Sequence, residues 1–135
     1  MIKRFGFGRN ERLKSRKRIE ELFLQGQRLN QFPLRVTFQF LPAAGEPGVQ
    51  AGVTASKKFF KKAVDRNRIK RLMRESYRLQ KNGLIELMKE KDLKGLVFFM
   101  YSDKTIASFE VIKVAMQKAI MKLQKAAMQT NENPS

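Results

Sequence analysis

The segment from residue 57 to residue 81 reads KKFFKKAVDRNRIKRLMRESYRLQK and is the most informative part of the chain. It contains eleven Lys or Arg residues and two acidic residues, so it carries +9 of the net charge of +17. Apolar residues recur within it at the spacing of one α-helical stripe. The stripe consists of Ile69, Leu72, Met73, Ser76 and Tyr77. This pattern predicts a helix that packs by one side.

A broad cationic face lies beside this stripe. At about 100° per residue, the face consists of Arg66, Asn67, Lys70, Arg71, Arg74, Arg78 and Lys81. Like charges at this density repel one another, so we expect a polyanion to face them, and we predict RNA. A solvated face without a ligand is the alternative. It is disfavoured because a second basic block, residues 1–30, carries a further +6.

Two polar residues at the start of the helix allow more than one interpretation. Asn67 is a neutral amide among cations, and it could bind a base, a phosphate or a neighbouring backbone group. Asp65 lies where a carboxylate suits the positive end of the helix dipole. A metal ligand is the alternative for Asp65, and a role as the helix cap is favoured.

The composition predicts one globular domain and excludes several kinds of site. The chain has 135 residues, is 42% hydrophobic and has a pI near 10.6. We expect a single RNA-binding domain over residues 1–128, with a flexible basic arm at 1–12 and a disordered tail at 129–135. The absence of cysteine and histidine excludes disulfides, Cys/His zinc sites and histidine as a general base.

Catalysis by the chain itself is not expected. Its acidic residues form no recognisable two-metal cluster, and it has no glycine-rich phosphate loop or nucleophile elbow. We therefore predict no catalytic residue, no metal site and no cofactor bound by the protein alone. No apolar run approaches the roughly twenty residues that span a bilayer, and the N-terminus does not read as a signal peptide. We expect a cytoplasmic protein that binds neither membranes nor DNA.

The remaining patterns predict an α+β fold, a two-layer sandwich with helices packed on a small mixed sheet. Alternation and apolar runs predict three strands, at residues 34–40, 49–55 and 96–101. The last of these reads as a central strand covered on both faces or most of both. Helices are predicted after the cap Ser15, in the basic segment, around residues 84–91 and after the cap Ser108. The main order is helix, strand, strand, helix, strand, helix.

A second candidate surface is the sheet face opposite the main core. If the polar rows of the first two strands align, they bring together Arg35, Thr37, Gln39, Gly52, Thr54 and Ser56. With Ile19 and Phe23 of the first helix, these residues form a shallow groove. Hydroxyls, an arginine and an aromatic ring suit a single strand of RNA. Packing between helix and sheet is the alternative for Ile19 and Phe23, and it is favoured for Ile19.

The stretch AVDRNRIKRLMR at residues 63–74 resembles the Arg-Asn-Arg signature of the bacterial ribonuclease P protein subunit. Arg12-Leu13-Lys14, together with Phe23 and Gly26, resembles the N-terminal helix of that family. AGVTASKK at residues 51–58 resembles the strand that leads into the signature. The resemblance covers about residues 9–126. It implies a left-handed β-α-β crossover through the basic helix, against the usual hand.

The resemblance also implies a function. In this family a catalytic RNA removes the 5′ leader of precursor tRNA, the RNA holds the active site and its Mg²⁺ ions, and the protein binds both the RNA subunit and the precursor. By position, the residues implied to bind the RNA subunit are Lys57, Lys58, Arg66, Asn67, Arg68, Lys70, Arg71 and Arg74. Those implied to bind the leader are Arg12, Ile19, Phe23, Arg35, Thr37, Thr54 and Ser56.

Three features depart from the family pattern. Ile19 stands where the family commonly has an aromatic residue, and Arg35 stands where it commonly has a tyrosine. These replacements shift the expected binding of the leader from stacking towards electrostatics. The turn Phe59-Phe60-Lys61-Lys62 is one residue longer than the usual glycine-containing turn.

Two other functions stay open at this point. A structural RNA-binding protein of the ribosomal type would have the same composition, and only the motif separates the two. The lysine-rich last helix could instead bind a membrane surface. Its apolar stripe includes small alanines, which favours packing against the sheet.

Overall fold

The computed structural model describes residues 11–130. The helices are α1 (Arg16–Gln25), α2 (Ala63–Gln80), α3 (Asn82–Lys91) and α4 (Phe109–Thr130), and the strands are β1 (Gln27–Gln31), β2 (Leu34–Pro42), β3 (Gly48–Ala55) and β4 (Leu93–Tyr101). The predicted α+β class and order are confirmed, with β1 as an additional strand. Residues 1–10 of the predicted arm and residues 131–135 of the predicted tail lie outside the described residues.

The strands form one mixed sheet in the order β1-β2-β4-β3. The pairs β1/β2 and β2/β4 are antiparallel, and β3/β4 is parallel. Because β3 and β4 are parallel neighbours, the chain between them, which includes α2 and α3, makes the expected β-α-β crossover. Its left hand stays a prediction. Strand β1 was not predicted because its sequence, QRLNQ, has one apolar residue and no alternation.

The main core lies between one face of the sheet and helices α2, α3 and α4. In α2 the buried residues are those of the predicted stripe, namely Ile69, Met73, Ser76 and Tyr77, with Leu72 partly buried. The predicted apolar stripe of α4 is also buried, and this buried stripe cannot face a membrane. Its buried members are Ile112, Met116, Ala119, Ile120, Leu123 and Ala127. Within residues 11–130, no helix combines the length and the apolarity needed to cross a bilayer.

Helix α1 covers part of the opposite face of the sheet. The hydroxyl of Ser15 accepts a hydrogen bond from the Arg18 amide at 3.3 Å, which confirms the predicted cap. Leu22 is fully buried in a small second core with Leu13 and Leu96, and Ile19 packs against it. The helix-to-sheet packing that was favoured for Ile19 is therefore present. Strand β4 lies between β2 and β3 and is covered over most of both faces, as its apolar run predicted.

Candidate nucleic-acid interface

The turn that leads into α2 is stabilised by its own side chains and backbone. The Ser56 hydroxyl accepts a hydrogen bond from the Lys58 amide at 3.0 Å, and the Phe60 amide donates to the Ser56 carbonyl at 3.0 Å. Phe60 is buried, with its ring centroid 6.0 Å from that of Tyr101. Lys57 and Lys58 are exposed at the outside of this turn. The longer turn is thus anchored by an aromatic side chain.

Arg66 fastens the turn to α2. Its guanidinium Nη1 donates to the carbonyl of Phe60 at 2.7 Å and to that of Lys61 at 2.9 Å. Hydrogen bonds from an ionised donor are stronger than neutral ones. Arg66 therefore has a structural role, which the sequence did not reveal. Asp65 lies in the first turn of α2, where its charge suits the dipole, but the N-cap of α2 is Lys62, so the prediction that Asp65 caps the helix was wrong.

We call the accessible cationic surface of α2 the basic face, and it consists of Asn67, Arg68, Lys70, Arg71 and Arg74. All are exposed except Lys70, which is half-buried. Among residues 11–130, none of these five side chains forms a hydrogen bond or an ion pair with a protein group. Their donors are therefore available to phosphate oxygens, and the buried stripe behind them keeps the helix in place.

Besides Arg66, two further residues of the predicted cationic face are bound to other protein groups. Arg78 forms an ion pair with Glu75, with 2.6 Å between Nη2 and Oε2. The hydrogen bond from Arg78 holds the pKa of the Glu75 carboxyl below its usual value, against a small opposing effect of desolvation. Lys81 is only 2% exposed and forms an ion pair with Glu11. The prediction that Lys81 shares the exposed face was wrong.

A cleft of about 520 Å³ lies on the other side of the sheet, between α1 and strands β1, β2 and β4. Its lining contains three of the residues predicted to bind the leader, Phe23, Arg35 and Thr37. The remaining predicted residues, Arg12, Ile19, Thr54 and Ser56, are outside this lining. The hydroxyl of Ser56 is occupied by the turn described above.

The polar rows of β2 and β3 align in register, but β4 lies between them. Thr37 pairs with Phe98, which in turn pairs with Gly52. Arg35 and Thr54 both pair with Met100 in the same way. Side chains of β4 therefore separate the two rows, so the surface contains apolar groups that the prediction did not include.

Four residues of this face were missed. Met100, Arg28 and Asn30 line the cleft, and the Phe98 ring lies edge-on to Phe23 with centroids 5.4 Å apart at 83°. The alternation of β4 could have revealed Phe98 and Met100, because they point to the same side as Leu96. Arg28 and Asn30 belong to β1, which carries no such signal.

Gly52 permits the close approach of β3 to its neighbours. A Cβ at this position would lie 2.8 Å from two ring carbons of Phe98 and 2.9 Å from the Leu13 carbonyl oxygen. We expect Gly52→Ala to lower the free energy of unfolding by roughly 1–3 kcal/mol, because the Phe98 ring or the backbone at Leu13 must shift to admit the Cβ. Urea denaturation measures this change. Gly45→Ala is the control, since nothing lies within 4 Å of its Cβ, and an equal loss in both variants would contradict the explanation.

Taken together, these surfaces carry groups that are suited to binding. The basic face offers cations and an amide, and the cleft offers an arginine, a hydroxyl and an aromatic ring. Such groups recognise phosphates and unstacked bases. Among residues 11–130, no three His, Cys, Asp or Glu side chains are grouped so that they could hold a metal ion.

Comparison with known proteins identifies the family. The family model described as ribonuclease P matches residues 7–124. The ribonuclease P protein component of Porphyromonas gingivalis is 34% identical over 119 residues, which cover 88% of this chain and 87% of that protein. That of Chlorobaculum tepidum is 39% identical over 100 residues, covering 69% of this chain and 65% of that protein.

Solved structures show the same fold. The RNase P protein from Thermotoga maritima superposes with a TM-score of 0.65 at 22% identity, covering 83% of this chain and 96% of that one. The Staphylococcus aureus RNase P protein gives a TM-score of 0.61 at 19% identity, covering 85% and 95%. Because the family model matches residues 7–124 of its 135 residues, the chain belongs to the ribonuclease P protein component family.

Proposed function

We propose that this chain is the protein subunit of ribonuclease P and acts in the maturation of tRNA 5′ ends in the cytoplasm. In this proposal it binds the catalytic RNA and the 5′ leader of precursor tRNA, and the RNA performs the Mg²⁺-dependent hydrolysis. The observation that carries the proposal is the basic face, whose cations have no protein partner among residues 11–130. Family membership supplies the connection to tRNA processing.

The basic face is proposed to bind the RNA subunit. Arg68, Arg71 and Arg74 project from a helix whose opposite side is buried, so their positions are defined before RNA binds. Binding several phosphates releases condensed counterions, which favours association at moderate salt. Lys57, Lys58 and Lys70 extend the same charge, and Arg66 supports the turn beside it.

The cleft is proposed to hold the leader. Phe23 offers an aromatic ring, and Arg35, which is exposed in the same lining, offers a charge that can bind phosphate. Arg28, which also donates to the Phe23 carbonyl at 3.1 Å, adds a second cation to the lining. Because Arg35 stands where the family commonly has a ring, we expect electrostatics to contribute more than stacking here.

The protein's contribution to the reaction is electrostatic. Substrate and catalyst are both polyanions, and cations that contact each of them reduce their mutual repulsion. We propose that no residue of this chain takes part in bond cleavage, since the residues of both surfaces bind and orient RNA.

Reconstitution at low Mg²⁺ tests the proposal. Adding the purified protein to the RNA subunit and precursor tRNA is expected to raise the rate of leader removal by about tenfold or more, because the protein's charge replaces part of the screening by magnesium. Protein without the RNA subunit is the control and should release no leader. RNA binding without stimulation would instead indicate a structural RNA-binding protein of the ribosomal type.

A further inference from the structure

We propose that Lys81 is a positioning residue that holds residues 11–14 on the edge of β3 and so places Arg12 and Lys14 beside the basic face. The part that concerns RNA rests on the proposed function. Lys81 is the residue between α2 and α3, and its position in the sequence gives no sign of this role.

Lys81 is buried although its side chain is charged. Its side chain is 2% exposed, and an ammonium group so far from water requires a charged partner. The Glu11 carboxylate supplies that partner from a position 70 residues away in the sequence. Burial, with a smaller effect of the Glu11 charge, also raises the pKa of the Tyr77 hydroxyl, which is consistent with the Glu11 carboxylate lying close to α2.

The ion pair lies at the start of a segment, residues 11–14, that pairs with β3. Directly after Glu11, Arg12 forms a parallel bridge with Ala51 of β3. The Leu13 amide donates to the Ala51 carbonyl at 2.9 Å, and the Leu13 side chain is buried. The segment therefore runs along the outer edge of β3, and the missing side chain of Gly52 leaves room for it.

The segment places the cations Arg12 and Lys14 next to the basic face. A small cavity of about 90 Å³ is lined by Arg12 and Lys14 on one side and by Arg74 of the basic face on the other. A wider cleft of about 320 Å³ is lined by Arg12 and Lys14 and by Arg18 of α1. The positive surface thus continues from α2 around the edge of β3 to α1, and the segment forms the middle of it. Its expected ligand is an RNA phosphate backbone.

Lys81→Met is the variant that tests this role. It removes the buried charge but keeps a long side chain, and the Glu11 carboxylate that loses this partner is 31% exposed, so water can solvate its charge. Lys89→Met, at an exposed position on α3, removes the same charge elsewhere and is the matched control. Glu11→Gln breaks the pair from the other side and provides a second variant.

Two measurements are made on each protein. Amide hydrogen exchange at Leu13 is expected to accelerate by about tenfold in Lys81→Met and to stay unchanged in Lys89→Met, because the segment opens locally. Affinity for the in vitro transcribed RNA subunit is expected to fall by roughly three- to tenfold, with the slope of log affinity against log salt reduced by between about one and two. Glu11→Gln should show the same pair of changes.

Three outcomes are decisive. Unchanged protection of Leu13 in Lys81→Met would overturn the proposed attachment. Lost protection with the affinity and salt slope of Lys89→Met would show that the segment places no phosphate contacts, and would also overturn the proposal. If the wild-type protein itself fails to bind the RNA subunit, the proposed function is wrong, and the exchange measurement alone then decides whether Lys81 holds the segment.

Discussion

Replacing Arg71 and Arg74 together by alanine is expected to weaken binding of the RNA subunit by roughly 2–5 kcal/mol, with each single replacement contributing about 1–3 kcal/mol. Both side chains are exposed, and neither has a protein partner among residues 11–130. Their loss therefore removes phosphate contacts without removing packing. The salt slope should become shallower by about two, because two fewer counterions are released. Binding titrations at several salt concentrations measure both quantities.

Two variants make this result specific. Lys125→Ala, on the exposed side of α4, removes a cation away from the basic face and should change the affinity little. Arg66→Ala should weaken binding as well, but it should also lower the free energy of unfolding, because Arg66 donates to the carbonyls of Phe60 and Lys61. Unchanged affinity and salt slope in the double variant would show that the basic face does not bind the RNA subunit.

Leu22→Ala is expected to have the largest effect on stability, a loss of roughly 2–5 kcal/mol in the free energy of unfolding. Leu22 is fully buried, and it joins α1 to the sheet through a small cluster with Leu13 and Leu96. This cluster is separate from the main core, so neighbouring side chains have little scope to fill the cavity. Guanidinium denaturation followed by circular dichroism measures the loss.

The same variant should impair the cleft. Helix α1 carries Phe23, so loosening of α1 removes one wall while leaving the basic face in place. The preference for precursor tRNA over mature tRNA should fall, and the affinity for the RNA subunit should fall much less, because only residues 11–14, which contact Leu22 through Leu13, are affected and the basic face is not. Leu24→Ala is the control because Leu24 is 85% exposed, and we expect its stability to change by less than about 0.5 kcal/mol. Equal losses in the two variants would contradict this account of α1.

The helices and three of the four strands could be predicted because their signals are local. The stripe of α2, the caps Ser15 and Ser108, and the apolar run of β4 each lie within a short stretch of sequence. Strand β1 gave no such signal, because it is formed by pairing with β2 and not by its own polar sequence. A strand at the edge of a sheet needs little apolar character of its own.

The candidate sites were predictable to different degrees. Most of the basic face follows from helical spacing, and Asn67, Arg71 and Arg74 are exposed where the spacing placed them, whereas Arg68 was expected from the family resemblance only. The cleft depends on strand order, which spacing does not contain. With β4 inserted between β2 and β3, Phe98 and Met100 enter the surface, and Thr54 lies one strand away from the row that was expected beside it.

By itself, the sequence determined which segments are helical, which side of α2 is buried, and that the other side is cationic, because the period of a helix is a property of neighbouring residues. Only the tertiary structure decided which cations are available to RNA. In a helical projection, Lys81 and Arg66 look the same as Arg71. In the structure, Lys81 pairs with Glu11, and Arg66 donates to the backbone of the turn before α2. Contacts between distant parts of a chain depend on how the layers assemble, and burial then makes the partner of a charge as important as its position.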